Sequence, residues 1–135
     1  MPRPIPPRRL ARSLLSLFAG FVVVVVLSLG TDAAMHAAGI FPALGQVMND
    51  SLFALALAYR NIYGIVGGYV TARLAPDRPL RHCILSGMIG LVITAFGAVV
   101  TWDQGPEFGP HWYSLALMAT ALPDAWAGAR LFGKD

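Results

Sequence analysis

Six residues of this sequence are of types that do chemistry, and each falls where a charge or a polar ring is costly. Arg60 lies nine positions into the apolar run 51–74, SLFALALAYRNIYGIVGGYVTARL, with Tyr59 beside it and Tyr63 one turn on. Asp124 lies inside a second run, 112–132, WYSLALMATALPDAWAGARLF. Asp32 and His36 follow the first run, 13–29, and their spacing of four puts them on one helical face. A guanidinium inside an apolar helix needs a carboxylate or a wet cavity, because leaving it unpaired at mid-membrane costs at least ~2.5–3.5 kcal/mol.

By helical rise, Arg60 is ~14 Å and Asp124 ~18 Å from the starts of their runs, and Asp32 is ~28 Å from residue 13. Arg60 is therefore expected to bridge toward Asp124, toward Asp32 or toward both, with Tyr59 and Tyr63 donating to the carboxylates. Such a cluster can clamp helices in register. It can also hold an anionic ligand on a spare guanidinium donor, or line an ion or proton path with His36. A fixed Arg–Asp pair moves protons poorly, since the guanidinium stays charged; this favours the clamp. Asn61 adds a polar group on a different face. The Asp32-x-x-x-His36 spacing gives only two ligands, too few for zinc, and reads as a hydrogen-bonded i,i+4 pair. No metal, cofactor or catalytic constellation follows from the three histidines and one cysteine, so a non-enzymatic protein is expected.

The elements that must position these residues are apolar and helical. Of 135 residues, 56% are hydrophobic and 13% charged, about half the charge of an ordinary soluble domain. At ~20 residues per span the length accommodates four helices, over 13–40, 51–74, 83–102 and 112–132. The fold class is therefore all-α: a four-helix transmembrane bundle with short loops. Five consecutive valines, Val22 to Val26, would suit a strand in water, but in lipid the backbone must satisfy itself and a helix wins. The first run resembles a signal peptide, yet it exceeds the usual ~7–15-residue apolar core and lacks an A-x-A site; a retained helix is expected.

Residues 1–12, MPRPIPPRRLAR, hold four prolines and four arginines and read as a basic, poorly ordered cytoplasmic tail. Arg3, Arg8, Arg9, Arg12, Arg73, Arg78, Arg81, Arg130 and Lys134 all fall on one proposed side, and the two opposite loops hold Asp50, Asp103 and Glu107 but no Lys or Arg. This asymmetry predicts both termini in the cytoplasm. It also removes nucleic acid as the partner of the net charge of +3, because the basic residues flank spans instead of forming a patch. Trp102, Trp112, Tyr113 and Trp126 sit at the expected span boundaries. Pro123 removes one backbone donor from the fourth span.

Small residues mark the expected contacts between helices. In the second span Gly64-x-x-x-Gly68 and Gly68-x-x-x-Ala72, with Gly67 beside them, give small-xxx-small spacing suited to close packing and to oligomers, and Gly87, Gly90 and Gly97 give the third span a small-residue face. The run is not a phosphate loop: it lacks a preceding strand and a Lys-Ser/Thr ending. Lone Cys83 reads as a small apolar residue at a helix end. Together, YGIVGGYVTARLAPDRPLRHCILSG, TDAAMHAAGIFP and ALPDAWAGARL resemble small four-helix inner-membrane proteins of bacteria, in which a Gly-Gly-Tyr-x-x-Ala-Arg step closes the second helix. The resemblance implies that architecture and location, and no activity. The expected partners are the lipid bilayer and either a homo-oligomer or a larger membrane complex, with the protein as an accessory subunit; a small transporter or channel unit lined by Arg60, Asp124, Asp32 and His36 is the alternative.

Overall fold

A computed structural model describes residues 2–4 and 6–133; Lys134, the last of the inner basic set, lies outside the described residues. Four helices run in order: α1 Pro7–Ala37, α2 Asp50–Leu74, α3 Pro79–Thr101 and α4 His111–Phe132, with a 3-10 turn at Pro106–Phe108 before α4. Among the described residues there is no strand.

Local chemistry sets the boundaries. Helix α1 starts within the basic tail, which is helical from Pro7 and not extended to residue 12. Proline at the first helical position costs nothing, because its missing N–H would have no partner there and its φ is already helical. The Asn49 side chain caps α2 by accepting from the Leu52 N–H at 3.0 Å. Pro79 opens α3 instead of merely ending the turn before it, so α3 starts four residues earlier than residue 83. The residue before it, Arg78, takes φ 40°, the sole non-glycine positive φ among the described residues. Substitution Arg78→Gly is expected to stabilise the fold by up to about 1 kcal/mol: the relief of a left-handed residue, roughly 1–2 kcal/mol, less glycine's extra unfolded-state entropy. A thermal melt in detergent reads it directly.

Helix α2 is the hub. It packs on α1 along one face and on α4 along the other; α4 also packs on α3, while α1 and α3 touch sparsely. The α1–α2 crossing is closest at Gly20 and Gly67. A methyl group added at Gly67 would meet the Val24 side chain and the Gly20 carbonyl, the latter at 2.9 Å. Beside them Thr71 donates to the Ser16 carbonyl at 3.2 Å, with both side chains fully buried. On its other face, Gly68 lies against the Ala125 backbone, and a methyl at Gly128 would stand 2.5 Å from the Ile65 carbonyl oxygen and the Tyr69 nitrogen. Cys83 is fully buried, its Sγ donating to the Gly68 carbonyl at 3.1 Å.

The helix crossings are built on small residues, one aromatic cluster (Phe41, Phe53, Tyr59 and Tyr113) fills the end near Asp32, and many large apolar side chains point outward. Phe18 is 66% exposed, Phe96 71% and Val99 77%. Helices α1 and α3 are each long and apolar enough to cross a membrane, and in both only 17% of the most apolar 18-residue stretch is buried. That separates them from the core helices of a water-soluble domain, which bury such stretches. Helices α2 and α4 carry Arg60 and Asp124 and do not reach that apolarity.

Candidate functional site

Two cross-links join α1 and α2 near the end opposite the basic turn. Asp32 on α1 takes both neighbours on α2: Tyr59 Oη donates to Asp32 Oδ1 and Arg60 Nη2 donates to Asp32 Oδ2. Consecutive helical positions differ by about 100°, so the two donors straddle the carboxylate. One turn inward, Tyr63 and Thr31 share a hydrogen bond of 2.7 Å, and the Tyr59 and Tyr63 rings lie 5.8 Å apart. Tyr63 thus meets a hydroxyl and not a carboxylate.

His36 does not pair with Asp32. Its Nδ1 meets the Pro42 carbonyl at 2.9 Å, and its ring stands edge-on to Phe41 at 5.4 Å. The chain turns back immediately after Ala37, so a nearer backbone carbonyl takes the imidazole. Asp32 in turn faces α2, where stronger donors wait.

Asp124 stands apart from this cluster. It packs on Gly64, where an added methyl would sit 2.9 Å from Asp124 Oδ2. That places it one turn inward of Arg60, ~6 Å by helical rise. Among the described residues its carboxylate has no hydrogen-bond or ion-pair partner. It opens instead into a cavity of about 240 Å³ walled by all four helices, to which Asn61, Ser86, Thr94 and Thr120 contribute polar side chains. Thr94 Oγ1 donates to the Gly90 carbonyl at 2.9 Å and Thr120 Oγ1 to the Ala116 carbonyl at 2.8 Å. Their protons are spent on their own helices, so these oxygens present lone pairs. Asp124 and these oxygens are acceptors in a mostly apolar cavity that Arg60 and Asn61 also line.

Arg60 is the partition. It lines this cavity and also an outer vestibule of about 200 Å³ shared with Asp32, His36, Glu107 and Tyr113. Its Nε–H is buried with no acceptor among the described residues, an arrangement that typically costs ~1–3 kcal/mol. Where α1 and α3 fail to close, Phe21 and Ile89 form an exposed apolar rim to the inner cavity. Among the described residues no three His, Cys, Asp or Glu side chains converge to hold a metal ion.

Of the small residues singled out in sequence, Gly64, Gly67, Gly68 and Gly87 meet side chains or backbone of neighbouring helices, and Ala72 is buried. Gly90 and Gly97 have nothing within 4 Å of an added methyl among the described residues; Gly90 borders the cavity. Sequence reasoning missed Gly20, Gly128 and Thr120. Gly20 was findable, because Ser16-x-x-x-Gly20 is itself small-xxx-small spacing. Gly128 carries no such pattern with a glycine partner. No protein-family model, curated protein or solved structure matches the chain.

Proposed function

We propose that this chain is a four-span protein of a bacterial inner membrane, with both termini cytoplasmic, that binds a small cationic molecule in the cavity around Asp124. The observation that carries the reading is an unpaired carboxylate in a mostly apolar cavity, backed by threonine oxygens whose protons are already spent. Asp124 is half-buried, and a carboxylate withdrawn from water is costly unless something cationic joins it. Arg60 is engaged with Asp32, so an ammonium group from outside the chain is the complement. At about 240 Å³ the site is below the ~300–1,000 Å³ of drug-sized pockets and suits a compact amine.

The membrane assignment is supported by the large apolar side chains that α1 and α3 leave exposed, among them Phe18, Val26, Val92, Phe96 and Val99, over stretches that are only 17% buried. Helices α2 and α4 span as the inner pair, tolerated there because their polar groups face the cavity and α1. The positive-inside asymmetry and the Gly-Gly-Tyr-x-x-Ala-Arg likeness point the same way. Five of the seven small residues singled out in sequence are engaged in helix packing within the chain, which leaves little small-residue surface for outside association and moves the balance from an accessory subunit toward a ligand-binding or carrier unit. The vestibule and the cavity, divided by Arg60, have the layout of a path with one closed barrier.

The test is equilibrium dialysis of benzyltrimethylammonium against the chain in lipid nanodiscs, beside its uncharged carbon isostere, neopentylbenzene. Binding of the cation, and its weakening by about 10- to 100-fold in Asp124→Asn, is expected because the neutral amide leaves the quaternary ammonium without its counter-charge. Equal affinity for the isostere, or an Asp124→Asn protein that binds as wild type, would contradict the reading.

A further inference from the structure

At the cytoplasmic end of the α1–α3 seam lies a second cleft, about 310 Å³, lined by Arg9, Ser13, Arg78, Arg81, His82 and Leu85 among others. Three guanidiniums face one carboxylate there. Asp77 takes only Arg9, at 3.5 Å; Arg78 and Arg81 have no acidic partner among the described residues. His82 holds the cleft together: Nε2 meets Ser13 Oγ at 2.8 Å and Nδ1 meets the Arg78 carbonyl at 3.2 Å. The imidazole is thus committed to tying α3 to α1, and the arginines are left over.

The same cleft is lined by Leu10, Leu17 and Leu85, with Leu10 and Leu85 about half exposed. Leu17 also walls the central cavity, so the basic cleft and the apolar rim belong to one seam. Charge at one end and a continuous apolar track leading from it match an amphiphile. A soluble phosphate would use the arginines and leave the leucines idle.

We propose that this seam holds one anionic phospholipid of the cytoplasmic leaflet. Its phosphate sits among Arg78, Arg81 and Arg9, and an acyl chain lies along Leu10, Leu17 and Leu85 toward the cavity rim. Arginines recognise phosphate oxygens by paired N–H donors, and basic pockets between spans at this depth bind anionic headgroups. The proposal rests on the membrane reading but not on the Asp124 ligand.

Native mass spectrometry of the detergent-purified full chain, titrated with dioleoyl-phosphatidylglycerol or dioleoyl-phosphatidylcholine, tests it. One phosphatidylglycerol should be retained at about tenfold lower lipid concentration or less, the contribution of roughly two arginines. The pair Arg78→Asn/Arg81→Gln should abolish that preference; asparagine tolerates the left-handed backbone at position 78. The pair Arg3→Gln/Arg130→Gln, with the same loss of net charge, should keep it. Leu17→Trp fills the track with the arginines intact and should also weaken retention, which covers a double variant that fails to fold. Retention that survives Arg78→Asn/Arg81→Gln or Leu17→Trp, an equal loss in both charge pairs, or full competition by soluble glycerophosphate would overturn the lipid site. Release of the chain from membranes by alkaline carbonate would instead overturn the membrane reading, a separate result.

Discussion

Replacing Arg60 with leucine is expected to destabilise the bundle by about 2–3 kcal/mol: it strands the Asp32 carboxylate between helices with only Tyr59 left to donate, and the partial exposure of the pair keeps the loss below that of a fully buried one. Asp32→Leu should cost a similar amount, leaving the guanidinium without its charge partner. The double variant Arg60→Leu/Asp32→Leu should recover most of the loss, since two apolar side chains in place of a buried pair are often neutral or better. A double-mutant cycle read by unfolding in mixed detergent measures the coupling. Arg60→Leu/Asp124→Leu is the control: the two residues make no ion pair, so Asp124→Leu should not rescue the loss from Arg60→Leu as Asp32→Leu does. Coupling to Asp124 and not to Asp32 would show that the guanidinium has the other partner.

The second large effect is expected at Gly128. Alanine is the better helix former by ~1 kcal/mol, so an open position would gain from Gly128→Ala. Here the added methyl meets the Ile65 oxygen and the Tyr69 nitrogen at 2.5 Å and the Gly68 carbonyl carbon at 2.7 Å. All three are backbone, which no rotamer change can move aside. Overpacking against such a wall costs ~1–3 kcal/mol or more, so steric cost outweighs propensity and Gly128→Ala should lose about 2 kcal/mol or more. Gly97→Ala, with nothing within 4 Å, should be neutral or stabilising by up to ~1 kcal/mol. Opposite signs for one chemical change at two helical glycines would show that α4 and α2 are in backbone contact. Equal effects would contradict it.

The helices were legible because their cause is local. Runs of apolar residues long enough for ~20-residue elements, broken by Pro42, Pro76 and the 103–111 turn residues, leave few alternatives to four helices. The helix starts at Pro7 and Pro79 were misjudged, since proline reads as a breaker although it also opens helices. The choice of Arg60's partner was not legible at all. Helical rise put Asp124 at a more similar depth than Asp32, but depth ignores which helices are neighbours and which faces they turn. Asp124 packs on α2 one turn inward of Arg60, and α1 turns Asp32 toward it. The cavity was likewise unreadable, because it exists only where α1 and α3 fail to close and Gly64 makes room for a carboxylate. Its polar lining had a trace in sequence, in Ser86, Thr94 and Thr120 spaced along otherwise apolar helices.

The proposed cation site requires that Asp124 be a free carboxylate within reach of the apolar phase and that Asp32 be out of reach. Labelling the chain in membranes with a lipophilic carbodiimide, followed by peptide mass spectrometry, compares the two directly. The arrangement described here predicts modification at Asp124, protection of that site by benzyltrimethylammonium, and little modification at Asp32. Labelling confined to Asp32, or labelling of Asp124 that the cation does not protect, would contradict it.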